Sequence, residues 1–154
     1  MKPRIYIDTS VIGGCEDDEF SCWSLRLFDE FRKGLKIAVI SDLTRRELEK
    51  APEKVKMMLE SIPDPGIDNV FLGEEAEALA QKYIDEGVVN KRHVIDAQHI
   101  AISVVEKVDL LVSWNFQHVV NINRIRAFNS VNIKLGYQPL EIRSPREVID
   151  EEEI

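Results

Sequence analysis

The chain has 154 residues, 44% hydrophobic and 31% charged, which suits one globular domain with a real core and excludes a disordered polymer. Its formal net charge is −8, and removing the four acids of the terminal "DEEEI" leaves −4 over residues 1–149, so binding of nucleic acid through a generally basic surface is excluded. No apolar run reaches the ~18 residues of a bilayer span, the start lacks a signal-peptide core, and Cys15 and Cys22 form neither a disulfide framework nor a CxxC spacing; the expectation is a cytoplasmic protein, away from membranes, with two free thiols packed against apolar neighbours.

Along the chain, residues 4–8 predict a short buried strand ending on Asp8. "FSCWSLRLFDEFRKG" sets Phe20, Trp23, Leu27, Phe28 and Phe31 at helical spacing, with Gly34 as the stop. "LKIAVISD" reads as a second buried strand, "LTRRELEKA" as a helix up to Pro52, and "PEKVKMMLESI" as a helix with proline at an early position. "PDPG" is a turn, "IDNVFL" a third strand, and "GEEAEALAQKYIDEG" an amphipathic helix with acids in its first turn. "HVIDAQHIAISVVEKV" is apolar on enough sides to be a deeply packed helix. "DLLVSW" is a fourth strand, "INRIRAFNSVNIKLG" a helix and "LEI" a strand. "SPREVID" is a helix with Ser144 as N-cap and Pro145 at its first position. Strands alternating with helices predict a parallel sheet covered on both faces.

In such sheets the functional crevice lies beyond the carboxyl ends of the strands. Asp8 ends the first strand, Glu47 follows the second, and Asp96 lies in the first turn of the packed helix before the fourth. Each alone has an ordinary structural explanation: Asp8 as a helix cap, Asp96 as complement to a helix N-terminus, Glu47 as a solvated side chain. Gathered at one edge they repel unless a cation sits between them, and hard oxygen ligands without a His/Cys set point to Mg2+ or Mn2+. Finding any of the three at the opposite edge overturns the site.

Four stretches, "YIDTSV", "SDLTRREL", "DAQHIAIS" and "LLVSWNFQHVVN", resemble in order and spacing the PIN-domain ribonucleases, which include the VapC-type toxins of toxin–antitoxin pairs. The resemblance spans nearly the whole chain. It implies a three-layer α/β/α fold around a central, mostly parallel sheet of about five strands, as a single domain over residues 1–149 with an acidic tail at 150–154. It also implies a metal-dependent endoribonuclease that leaves a 5′-phosphate and a 3′-hydroxyl, with RNA as substrate, an antitoxin protein as partner and a homodimer as assembly. Carried over by position, Asp8, Glu47 and Asp96 are the catalytic metal ligands, with Thr9 or Ser10 as polar support beside Asp8. Where PIN domains usually have a further aspartate after the fourth strand, this chain has Asn115 in "SWNF". Its amide oxygen can ligate a metal or cap the turn starting at Phe116, but it brings no charge. Asp109 is no substitute, because it starts the fourth strand at the opposite edge.

Lys91-Arg92-His93 before Asp96 and Arg45-Arg46 beside Glu47 are the local basic clusters such an enzyme needs for phosphates, or ordinary solvated faces. His99, one turn after Asp96, reads first as a hydrogen-bonded core or rim residue and second as a general base or substrate contact. His118 is read in the same two ways, and the Phe/Trp stripe of residues 20–31 as core or dimer interface. A haloacid-dehalogenase-type phosphatase needs DxDxT, where this chain has Asp8-Thr9-Ser10, and a receiver domain needs paired acids that are missing. The competing reading is a catalytically weakened or inactive PIN-like module that binds nucleic acid or serves as a scaffold.

Overall fold

Two short apolar stretches, Arg4–Ile7 (β1) and Ile37–Ser41 (β2), lie side by side at the centre of the molecule, because almost every side chain on them is apolar and both faces are buried. The structure is a computed structural model and describes residues 1–149; the acidic tail expected at 150–154 lies outside the described residues. Among the described residues, five strands form one sheet in the order β3-β2-β1-β4-β5, with β3 at Ile67–Val70, β4 at Leu110–Val112 and β5 at Ile142–Arg143. Every pairing is parallel. The strand order reverses at β1, so a crevice opens between the carboxyl ends of β1 and β4.

The two-residue period of the strands sorts their side chains into two cores. Tyr6, Val39 and Leu111 join the layer of α5 (Glu74–Asp85), α6 (Val94–Val105) and α7 (Ile122–Lys134). Ile5, Ile7, Ala38, Ile40 and Val112 join the opposite layer, with α1 (Thr9–Gly13), α2 (Ser21–Arg32), α3 (Asp42–Leu48) and α4 (Glu53–Glu60). A last short helix, α8 (Pro145–Val148), has Ser144 as its expected N-cap, and Glu147 completes a capping box with it. The molecule is therefore a three-layer α/β/α domain. Each fully buried aliphatic or aromatic side chain, such as Ile7, Phe28 or Ile100, contributes about 2 kcal/mol of burial.

Some elements differ from expectation. "TSVIG" forms α1 immediately after β1, because Asp8 caps it; five residues are too few to show a period in sequence. The helix expected to run to Pro52 ends at Leu48, and Pro52 is the extended residue that caps α4 rather than its first turn. The stop at Gly34 is confirmed by its left-handed φ of 76°. Cys15 is buried as expected, but Cys22 is exposed, since it falls on the outer face of α2. Phe28 and Phe31 are core residues. Glu30 and Lys36, both nearly buried, form an ion pair that ties α2 to the chain entering β2.

Candidate functional site

Asp8 follows β1 directly and is only 7% exposed. Its Oδ1 accepts from Ser10 Oγ at 2.5 Å and from the Val11 N–H at 3.3 Å, which fixes the start of α1. Its Oδ2 accepts from Ser113 Oγ at 2.6 Å, across the crevice from the end of β4. A carboxylate has about four acceptor positions, so one remains open on Oδ2. Ser113 Oγ also accepts from the Asn115 N–H at 3.0 Å, and Ser10 Oγ accepts from the Trp114 N–H at 3.0 Å. Two serines thus lock the segment 113–115 to Asp8. Of the two hydroxyl residues after Asp8, Ser10 hydrogen-bonds Asp8 and Thr9 hydrogen-bonds Glu47.

Thr9 Oγ1 donates to Glu47 Oε1 at 2.8 Å, and His99 Nε2 meets the same oxygen at 2.7 Å. His99 is buried, and its Nδ1 lies 2.5 Å from the Tyr6 hydroxyl, which in turn lies 2.7 Å from Ser41 Oγ. Burial raises the Glu47 pKa, but the hydrogen bond and charge of His99, with the Thr9 hydroxyl, outweigh it and leave Glu47 below the usual range. An ionised Glu47 only accepts, so His99 Nε2 donates to it. His99 is therefore a hydrogen-bonded core residue that orients Glu47.

Asp96 is the third residue of α6, where its charge also suits the helix N-terminus. Asn115 Nδ2 lies 3.4 Å from Asp96 Oδ2, while Asn115 Oδ1 accepts from the N–H groups of Gln117 and His118 at 3.2 and 3.0 Å. Asn115 is thus a cap, and it presents a donor to the acids. Burial pushes the carboxyls of both Asp8 and Asp96 above the usual range. For Asp8 the charge of His99 and the Ser10 and Ser113 hydroxyls offset part of this. For Asp96 the charge of Asp8 adds to it.

All four positions therefore sit at the carboxyl edge of the sheet, in two hydrogen-bonded groups that meet at the consecutive residues Asp8 and Thr9. One group runs Asp8–Ser113–Asn115–Asp96 and the other Thr9–Glu47–His99–Tyr6. Asp109 lies at the opposite edge, where its Oδ2 accepts from the Arg4 N–H at 2.7 Å. Among the described residues, no group of three or more His, Cys, Asp or Glu side chains is arranged to hold a metal ion as it stands. Glu47 Oε1 is engaged by His99 and Thr9, and no hydrogen bond to its Oε2 is seen among the described residues. The donor set still fits Mg2+, which takes one or two carboxylates and keeps water or phosphate for the rest. Two desolvated, mutually repelling carboxylates are what such an ion relieves.

The basic residues divide. Arg45 donates to Asn69 Oδ1 at 2.8 Å and Arg46 pairs with Asp42 at 3.8 Å, so neither is turned to the acids. Lys91 and Arg92 are exposed on a 3-10 turn, Lys91–His93, that leads into α6 and Asp96. His93 stacks on His118, with ring centres 3.8 Å apart. Ser113 and Tyr6 join the site only through the fold, Ser113 by its bond to Asp8 and Tyr6 by its bond to His99. A hydroxyl at the end of "LLVS" was the one available signal for Ser113.

No family model matches the sequence, and none of the curated proteins matches it. Solved structures do. VapC20 of Mycobacterium tuberculosis, described as a sarcin-ricin loop cleaving toxin, superposes with a TM-score of 0.56 at 12% identity, over 88% of this chain and 98% of its own. VapBC2 of Rickettsia felis, bound to a DNA fragment from its promoter, superposes with a TM-score of 0.58 at 12% identity, over 92% and 98%. The chain has the PIN-domain, VapC-type fold. In this PIN frame β1 and β4 flank the crevice, and the stretches quoted for the resemblance supply Asp8, Glu47, Asp96 and Asn115 to one edge.

Proposed function

We propose that this protein is a Mg2+- or Mn2+-dependent endoribonuclease, with Asp8 and Asp96 as the principal metal ligands and Glu47 as the third acid. The observation that carries the reading is the pair Asp8 and Asp96, both held above the usual carboxylate range at the crevice where the strand order reverses. A divalent ion supplies polarisation of a phosphoryl oxygen and acidification of the attacking water. The chain's own residues do the positioning. Ser10 and Ser113 fix both oxygens of Asp8, Asn115 steadies Asp96, and His99 with Thr9 holds Glu47 ionised. A role as the toxin of a toxin–antitoxin pair, with an antitoxin partner and a homodimeric assembly, is the narrower form of this reading. It draws on one structural relative described as a toxin and another described as VapBC2 on promoter DNA.

A second reading has its own observation. Asn115 offers an amide nitrogen, not a carboxylate, to the acid pair, as expected of a weakened or inactive PIN-like binding or scaffold module. Mn2+ binding separates the two readings. The nuclease binds Mn2+ at a site lost in Asp8→Asn; a lapsed module shows no such site in either protein.

A further inference from the structure

Beyond the acids, the charge distribution is unusual on one side of the crevice. A cleft of about 530 Å³ lies between the end of α5, the turn before α6 and the start of α7, and its lining includes Asn90, Lys91 and Arg124 but no carboxylate. In a chain with 28 acids and 20 bases that is a local excess of positive charge. Among the described residues Lys91, Arg92 and Arg124 form no ion pair. Arg124 is half-buried, and one arm of its guanidinium donates to the carbonyl of Val88, so it is held in place while its other nitrogens remain free.

From Lys91 in the cleft the chain leads directly to the acids. Lys91 and Arg92 share their turn with His93, which stacks on His118 and immediately precedes α6, the helix that carries Asp96 in its first turn. His118 Nδ1 is buried and has no hydrogen-bond partner, a polar atom left for a ligand.

We propose that this cleft is the RNA backbone track: consecutive phosphates of the strand bind Arg124 and Lys91, with Arg92 alongside, and the strand passes the His93–His118 pair to reach Asp96. The inference rests on the ribonuclease reading and names how that site holds its substrate. A net-negative enzyme with a desolvated acid pair repels RNA at the reaction centre, so affinity has to come from cations placed beside it. Arg124 is the new residue in this account. A fixed, forked guanidinium suits a phosphate better than a mobile lysine does.

The test is binding of a short unstructured RNA oligonucleotide to the full chain in EDTA, followed by fluorescence anisotropy over a range of salt, with cleavage in Mg2+ measured separately. Arg124→Gln and Lys91→Gln are each expected to weaken binding about tenfold at low salt and to reduce the slope of log affinity against log salt by about 0.7. Arg124→Lys keeps the charge and should keep most of the slope. Lys91 is exposed, so its variant tests the track even if Arg124→Gln unfolds, which thermal melting would reveal. Unchanged affinity and slope in the variants overturn the track while Mg2+-dependent cleavage still supports the nuclease, and a wild-type chain that binds no RNA overturns the track as well. Binding that falls in the variants with no cleavage by the wild type supports the track and overturns the nuclease.

Discussion

The carboxamide of Asn115 turns its oxygen to the backbone and its nitrogen to Asp96: Oδ1 accepts from the N–H groups of Gln117 and His118, and Nδ2 stands 3.4 Å from Asp96 Oδ2. The reverse orientation would set an NH2 group against two backbone donors, so the assignment follows from the hydrogen bonds. An uncharged donor therefore stands where the PIN resemblance leads one to expect an acid. It donates to Asp96 alone and brings no negative charge of its own.

Asn115→Asp keeps the cap, since Asp accepts from the same backbone donors. It also places a negative charge against Asp96, so the metal-free protein should lose about 1 kcal/mol, seen as a lower melting temperature in EDTA. Divalent affinity should rise about tenfold. Isothermal titration with Mn2+ checks this, and an unchanged Kd would leave Asn115 as a cap alone.

Asp8→Asn preserves the α1 cap and the volume of the site while removing a charge that burial disfavours. The metal-free variant should therefore be at least as stable as wild type at neutral pH and still lose RNA cleavage. Chemical denaturation beside a cleavage assay reads both. A variant that is inactive because it unfolds would contradict the prediction.

The pH dependence has a definite sign. Asp8 and Asp96 have folded pKa values above their unfolded ones, so the folded state holds their protons more tightly. The stability they contribute is fully present below the unfolded value of about 4 and is lost as pH rises through the folded values. Glu47 is shifted the other way, and its contribution is lost only as pH falls below about 4.3 through its folded pKa. Melting temperature in EDTA should therefore decline above about pH 4, and added Mg2+ should remove that decline. A profile that is flat in EDTA contradicts it.

Gly14→Ala tests the packing behind the crevice. A Cβ at Gly14 would lie 2.6 Å from Ser24 Oγ and 2.7 Å from Trp114 Nε1, two groups that hydrogen-bond each other at 2.9 Å. The indole must move, which disturbs the segment carrying Ser113 and Asn115. The cost should be about 1–3 kcal/mol, with a shift in tryptophan emission and weaker metal binding. Wild-type emission and stability would show that the segment has slack the structure does not suggest.

The sheet and most helices were legible because "IYI", "IAVIS" and "LLV" are apolar runs of strand length and the helices between them are amphipathic. The acids stood out because Asp8 directly follows β1, Asp96 lies in the first turn of α6 and Glu47 lies in the helix that follows β2. What holds them did not. Ser113 reaches Asp8 across 105 residues and Tyr6 reaches His99 across 93, and no local pattern encodes a contact between separate strands and helices. Arg45 and Arg46 sit beside Glu47 in sequence but point elsewhere, because neighbours in a helix face different directions. Arg124 was hidden for the opposite reason: it lies in an ordinary amphipathic helix and becomes notable only when the fold brings it beside Lys91.

The most direct measurement is cleavage of single-stranded RNA by the wild-type chain in Mg2+ or Mn2+, with the product ends identified, beside Asp8→Asn and an EDTA control. The expected result is metal-dependent cleavage that leaves 5′-phosphate and 3′-hydroxyl ends and disappears in both the variant and EDTA. Cleavage that survives either one, or a wild-type chain that cuts no RNA at saturating metal, would contradict it.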